Sequence, residues 1–180
     1  ALVLALLKQR IGKALMQDVL HQTLNVTAMV FLILVGATLF SLVFRGFGGE
    51  ELIQSAFETL PGGAFGAVFL VMLVIFLLGF ILDFIEITFV VVPIVGPILL
   101  MMGIDPIWLG IMIALNLQTS FLTPPFGFAL FYLRGVAPSS LTTGAIYRGV
   151  IPFIIIQLAV LALLWVWPPL ATYLPSVVRP

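Results

Sequence analysis

Charged side chains are so sparse that they divide the chain into long uncharged runs, at residues 22–44, 59–82, 87–104, 106–133 and 149–178. A helix needs about 20 apolar residues to cross roughly 30 Å of hydrocarbon. Four of the runs reach that length, and the run at 87–104 falls short. Backbone polar groups in lipid must bond internally, which leaves helices or closed barrels. Barrel strands would alternate polar and apolar side chains, and a stretch such as VFLVMLVIFLLGFIL does not alternate. The pattern therefore predicts an all-α polytopic membrane protein.

Residues 1–23 have a different rhythm. Leu4, Leu7, Ile11, Leu15 and Val19 recur at spacings of three and four, with Lys8, Lys13, Gln17 and His21 elsewhere on the wheel. This predicts an amphipathic interfacial helix leading into the first span. A scaffold transmembrane helix follows at 24–44, where Gly36, Ala37 and Ser41 allow close helix approach. A glycine-rich turn at 45–49 and a short surface helix at 50–60 come next, ending at Pro61-Gly62-Gly63.

The segment 64–102 runs as an apolar helix to Gly79, meets LDFIE with Asp83 and Glu86, and resumes with Pro93, Gly96 and Pro97. Two full crossings joined by an acidic turn are one reading. A re-entrant helical hairpin is the better one, because proline and glycine shorten the second arm. The run at 106–133 holds a polar cluster at its centre: Asn116, Gln118, Thr119, Ser120 and Thr123, then Pro124, Pro125 and Gly127. Adjacent prolines remove two backbone donors and restrict the residue before each of them. A discontinuous transmembrane helix is expected there, since broken backbone persists in a membrane only where it lines a cavity or a site. The last transmembrane helix is expected at 149–167, with Trp165 and Trp167 as interface anchors and a frayed tail beyond.

Composition excludes other classes. Of 180 residues, 63% are hydrophobic and 8% are charged, with seven basic residues against seven acidic. Soluble domains are about a quarter charged, so this chain cannot coat a soluble globule. So few basic residues form no patch for nucleic acid. The sequence has no cysteine, which excludes disulfides, thiolate zinc sites and cysteine nucleophiles. His21 is the single histidine and too little for a metal site. The chain opens on alanine in an apolar stretch without a signal peptide, and is expected to be the C-terminal piece of a longer polypeptide. A cytoplasmic N-terminus puts Lys8, Arg10, Lys13, Arg134 and Arg148 inside and Arg45 and Arg179 outside, as the positive-inside rule requires. The hairpin then enters from the outer face and the C-terminus is periplasmic.

A broken helix presents free carbonyls at the end of its first half and free amides at the start of its second. Carbonyls suit a hard cation such as sodium, and amides suit a carboxylate. The hydroxyls of Thr119, Ser120 and Thr123 complete an oxygen cage without a titratable group, favouring sodium over protons as coupling ion. Asp83 and Glu86 remain available for protonation. Asn116 has a plainer alternative, a hydrogen bond to a neighbouring helix. For Pro93 and Pro97 the plainer role, a kink, outweighs a direct one. No G-x-S-x-G, H-E-x-x-H or P-loop is present. An intramembrane aspartyl protease needs two aspartates at depth, and Asp83 has no companion there. No enzyme, no catalytic residue and no organic cofactor are expected.

The stretch LLGFILDFIEITFVVVPIVGPILLMMGIDPIWLGIMIALNLQTSFLTPPFGFALFYLRGVAP resembles the large membrane (M, DctM-like) subunit of tripartite ATP-independent periplasmic (TRAP) transporters. The matching motifs are G-x-x-x-D, a G-I-D-P loop, and N-L followed by T-P-P. The flavour of L-D-F-I-E with N-L-Q-T-S-F-L-T-P-P-F-G is similar to the branch often labelled mannitol/chloroaromatic transport, a label that is a poor guide to substrate. The resemblance implies an elevator-type secondary transporter of two inverted repeats, of which this chain is the second. It implies a sodium ion between hairpin and break, held at Gly79, Ser120, Thr123 and Phe126, with Gly79 and Phe126 contributing only carbonyls. Asp83, Glu86, Asn116, Gln118 and Thr119 are the candidate substrate or gating residues. Many relatives have glycine at the position of Ser120, so a main-chain contact is expected there. Relatives often have proline where this chain has Phe84. The implied partners are a periplasmic substrate-binding protein, a small four-helix membrane subunit, the first half of the same permease and the lipid bilayer, with no nucleic acid. The implied setting is a bacterial inner membrane and the implied cargo an organic acid. A related divalent-anion symporter and a non-transporting scaffold subunit are the alternatives.

Overall fold

The computed structural model describes residues 12–124, 127–138 and 141–178, all of them in helices and turns. Lys8, Arg10, Pro125, Phe126 and Arg179 lie outside the described residues, as do residues 1–11 of the interfacial segment expected at 1–23.

Helix α1 runs unbroken over Lys13–Gly46. The sequence reading separates an interfacial helix at 1–23 from a span at 24–44, but the structure has no joint between them. The residues around position 23, QDVLHQTLNV, contain neither proline nor glycine, so nothing interrupts the hydrogen-bond ladder. At Phe47–Gly48 the chain turns, and the Arg45 Nε to Glu50 Oε1 ion pair at 2.8 Å fastens the end of α1 to the start of α2, Gly49–Glu58. Helix α2 turns Ile53 and Phe57 into the core and leaves Leu52 outside. It meets α3, Gly63–Leu78, at a bend of 118°.

Helices α3 and α4, Phe84–Met101, form the hairpin, with a π turn at Ile87–Val91 early in α4. The π turn precedes Pro93, which has no N–H to continue the regular ladder, and a one-residue widening absorbs that loss. By length and composition α4 itself suffices to cross a membrane. Helix α5, Pro106–Leu122, starts on Pro106 behind Asp105, whose carboxylate accepts from the amides of Ile107 (2.9 Å) and Trp108 (2.8 Å). After an interruption the chain resumes as α6, Phe128–Val136.

The last long helix, α7, spans Thr143–Val166. It begins earlier than the run at 149–167 because Arg148 is exposed near its first turns and does not stop it. Beyond it the expected frayed tail is instead a helix, α8, Pro169–Val178, packed on α5 and α7. Pro169 opens it at a position where a missing N–H costs nothing. Trp165 also departs from expectation. It turns inward, 5.4 Å from Trp108 and edge-on to Phe65 and Phe69, while Trp167 stays exposed.

One core joins the hairpin to the first half of the interrupted helix. Val68, Val71, Met72 and Ile75 of α3 meet Ile98 and Leu99 of α4 and Trp108, Met112 and Leu117 of α5. The long helices α1 and α7 are covered with exposed apolar side chains, and Ala37 is the one buried residue of α1. Helices that are apolar all round and still exposed are stable only against lipid or another apolar partner. The described part is thus an all-helical membrane protein.

Candidate functional site

The interruption of α5 comes where Pro124 and Pro125 withhold the amides that would bond Ser120 and Phe121. Helix α5 therefore stops at Leu122, and Thr123 turns extended (φ −83°, ψ 122°). Gly127 closes the bend by donating to the Thr123 carbonyl at 3.1 Å. A Cβ on Gly127 would lie 2.5 Å from the Phe121 carbonyl oxygen, so only glycine fits this return.

The hairpin tip packs against the end of α5. Gly79 ends α3 by donating to Ile75 O at 2.9 Å, and four residues later Asp83 opens α4 by accepting from the Phe84 amide at 2.6 Å. Gly79 is buried on Ser120 so closely that a Cβ there would collide with the Ser120 hydroxyl and lie 2.8 Å from its Cβ. Phe84 reinforces the junction, edge-on to Phe121 with ring centroids 5.7 Å apart.

Depth follows from helix geometry. Trp108 Nε1 donates to Leu164 O at 2.9 Å, which sets the start of α5 level with the end of α7. Leu122 packs with Leu130, Val150 and Ile154 at the other end. At 1.5 Å per residue Ser120 stands about 18 Å along α5 from Trp108, and α7 is about 36 Å long. The tip meets the break roughly halfway along the last long helix.

Each polar side chain along this part of α5 has a defined use, except one. Asn116 Nδ2 crosses to Met72 O at 2.7 Å and clamps α5 to α3. The hydroxyls of Thr119, Ser120 and Thr123 donate back to Leu115 O (2.7 Å), Leu117 O (2.9 Å) and Thr119 O (2.7 Å). A hydroxyl that gives its proton to the backbone offers only lone pairs to anything else, an arrangement suited to a cation. Thr119 and Ser120 are fully buried, and Asn116 is nearly so. Gln118 is exposed and lines an open, almost wholly apolar cleft of about 540 Å³, shared with Phe84, Thr88, Leu117, Phe121 and Leu122.

The sequence-derived candidates fall into three groups. Gly79 and Ser120 meet at the tip–break junction, Thr123 ends α5 three residues on with its hydroxyl bonded to Thr119 O, and Asp83 is half-buried at the head of α4. Glu86, also half-buried, sits in the turn before the π segment. Asn116 is occupied in holding α5 to α3, and Thr119 bonds back to Leu115 O within α5. Phe126 lies outside the described residues. Among those residues no group of three or more His, Cys, Asp or Glu is placed to hold a metal. Two polar residues escaped the sequence reading. Thr88 reaches the cleft from the π turn, and Gln157 of α7 has a buried Oε1 without a partner among the described residues. A carboxamide inside the apolar run at 149–178 was the available signal for Gln157. Thr88 had none, since the π turn that aims it was not legible.

A family model described as the tripartite ATP-independent periplasmic transporter, DctM component, matches residues 1–170. The sialic acid TRAP transporter large permease protein SiaM of Vibrio cholerae is 31% identical over 159 residues, covering 88% of this chain and 37% of that protein. The ectoine/5-hydroxyectoine large permease protein UehC of Ruegeria pomeroyi is 30% identical over 175 residues, 97% of this chain and 40% of its own length. The C4-dicarboxylate large permease protein DctM of Vibrio cholerae is 28% identical over 160 residues, 87% of this chain and 34% of its own. The chain thus spans between 34 and 40% of the length of these relatives. No solved structure gives a significant match.

Proposed function

Because this chain belongs to the DctM family of tripartite ATP-independent periplasmic transporter components, we propose that it is part of the large permease subunit of a sodium-coupled importer of an organic acid. In this reading it forms the second of two inverted repeats in a bacterial inner membrane. Its N-terminal side is cytoplasmic and its C-terminal side periplasmic. A periplasmic binding protein delivers cargo, a small four-helix membrane subunit accompanies the permease, and the first half of the permease completes the site. Relatives named for sialic acid and for C4-dicarboxylates motivate an acid as cargo.

The contact between the hairpin tip and the break, Gly79 on Ser120, is the observation on which this reading rests. A sodium ion there would take carbonyls near Gly79 and Phe126 together with oxygens of Ser120 and Thr123. The inward-donating hydroxyls support that role, because they present lone pairs and no proton. Neutral oxygens in a low-dielectric site bind a monovalent cation without a fixed charge to compensate. Asn116 holds the frame, while Thr119, Asp83, Glu86 and Gln118 stand on the cargo side. The tip's halfway depth supports a re-entrant hairpin. An elevator motion is supported by the restricted packing of α1, which meets the rest chiefly through α2 and the π turn of α4. Hairpin and broken helix, joined by one core, would then move as a body along α1.

The test is uptake by proteoliposomes holding the full-length permease and its partners, with and without an inward sodium gradient. Wild type is compared with Thr123→Ala. Sodium-driven uptake whose half-saturating sodium concentration rises several-fold in the variant is expected. Uptake that ignores sodium and follows a pH gradient would sink the sodium site and transfer attention to Asp83 and Glu86.

A further inference from the structure

One face of α1 is unlike the rest of it. Leu34, Thr38, Ser41 and Arg45 follow one another at spacings of three and four, and with Phe89 and Pro93 of α4 they line a groove of about 420 Å³ whose wall is part polar. At 1.5 Å per residue the groove runs about 16 Å along α1, so its mean cross-section is about 26 Å². A helix roughly 10 Å across needs about 80 Å², so the groove seats a single chain and no helix. Polarity changes along its length. Arg45 ends the uncharged run 22–44 and so marks the edge of the hydrocarbon. Its ion pair with Glu50 is made through Nε, which leaves the terminal amino groups of the guanidinium for an anion. Ser41, about 6 Å deeper along the helix, is half-buried and its hydroxyl has no partner among the described residues. Thr38 donates to Leu34 O at 2.8 Å, and Leu34 ends the groove among apolar side chains.

We propose that this groove holds one glycerophospholipid with an ethanolamine headgroup. The phosphate accepts from Arg45, an acyl ester oxygen accepts from Ser41, and one acyl chain runs past Thr38 to Leu34, between α1 and the pair Phe89 and Pro93. In such a lipid the glycerol unit separates phosphate from ester, a span that matches the rise from Ser41 to Arg45. The headgroup follows from charge. Glu50 and Glu51 open α2 beside the one guanidinium of Arg45. An anionic headgroup would meet an excess of negative charge there, whereas the ammonium of ethanolamine answers it and donates to Glu50. The pair is also held in place. Gly49 lies against the Phe44 ring where a Cβ would collide, so α2 begins tight on the end of α1. The inference needs only that α1 crosses the membrane. It is independent of the sodium site, and the outer leaflet follows from the orientation proposed above.

The measurement is native mass spectrometry of the delipidated full-length permease with its small subunit, titrated with dioleoyl phosphatidylethanolamine, phosphatidylcholine and phosphatidylglycerol. One phosphatidylethanolamine is expected to bind several-fold tighter than either of the others. Arg45→Gln should weaken it at least tenfold, the worth of a hydrogen bond to a charged group. Glu50→Gln should bring phosphatidylethanolamine down to the level of phosphatidylcholine. Ser41→Ala should weaken all three lipids roughly three- to tenfold. Since Ser41 has no partner to lose among the described residues, lipid-free thermal unfolding should not change, and this variant decides alone if Arg45→Gln fails to fold. Equal affinity in wild type, Arg45→Gln and Ser41→Ala overturns the site. Phosphatidylglycerol binding as tightly as phosphatidylethanolamine in the wild type overturns the headgroup. No lipid held more tightly than the rest means that another part of the permease or the small subunit covers the groove, and that too overturns the proposal. Exchange of sodium for potassium should leave lipid binding unchanged, so failure here leaves the sodium site standing and failure of the sodium site leaves this one.

Discussion

At the scale of single residues, the junction of tip and break tolerates no added atom at position 79. Gly79→Ala places a methyl group into the Ser120 side chain, and overpacking of this kind costs about 1–3 kcal/mol. The variant should unfold at a lower temperature and lose sodium-driven uptake, and Gly79→Ala with Ser120→Gly should recover much of both. Failure of that second change to rescue would show that the contact is not what position 79 is constrained by. Asn116 makes a different prediction. Replacing it with leucine leaves Met72 O without its donor, for a loss of about 1 kcal/mol in a membrane interior. Thermal unfolding of the full-length permease should register this, with sodium affinity little changed. A rise in half-saturating sodium as large as that of Thr123→Ala would instead place Asn116 in the ion site. Gln157 stays the odd residue of this scale, a buried carbonyl oxygen without a partner among the described residues.

At the scale of elements, each helix end near the site has its own cause, and these causes are separable. Asp105 caps α5 through two amides, at the end farthest from the break. Asp105→Ala should therefore cost about 1 kcal/mol of stability and leave the sodium dependence of uptake as it was. The opposite end of α5 is controlled by its prolines. Replacing Pro124 and Pro125 with alanine restores two donors and lets the ladder run on from Leu122, which closes the break between α5 and α6. That double variant should reach the membrane in normal amounts and show no sodium-driven uptake. Retained uptake would mean that the break is not needed for the ion. The break was legible in the sequence because adjacent prolines act through covalent chemistry. The π turn was not, since it depends on how α4 accommodates Pro93 while packing on α1.

At the scale of the molecule, hairpin, first half-helix and α7 form a body whose long axis is set by the Trp108–Leu164 bond at one end and the Leu122–Leu130–Val150 cluster at the other. The orientation read from basic residues is open to direct test, since this stretch has no cysteine of its own. In an otherwise cysteine-free permease, Tyr173→Cys should react with an impermeant maleimide from the periplasm. Arg148→Cys should react only after the membrane is opened. Ile81→Cys, exposed at the tip, should resist reagent from both sides if the hairpin is re-entrant. Ready labelling of Ile81→Cys from the cytoplasm would make the two arms full crossings.

The residue pattern by itself determined that the chain is helical and membrane-bound, where its apolar segments lie, and that one of them must break at Pro124-Pro125. These follow from hydropathy and backbone chemistry, which act locally and leave their mark in residue order. It also marked Ser120 by its hydroxyl at the break and Gly79 through resemblance, without saying that they touch. The tertiary structure decided the rest. Arg148 did not end a helix, Trp165 turned into an aromatic cluster, and the tail became α8 because α5 and α7 offered it a surface. Likewise Asn116 and Gln118, two residues apart, received opposite roles. On a helix they face different neighbours: one found the Met72 carbonyl, the other an open cleft. Which neighbour a polar side chain meets is settled by packing between elements distant in sequence, and no local pattern records that.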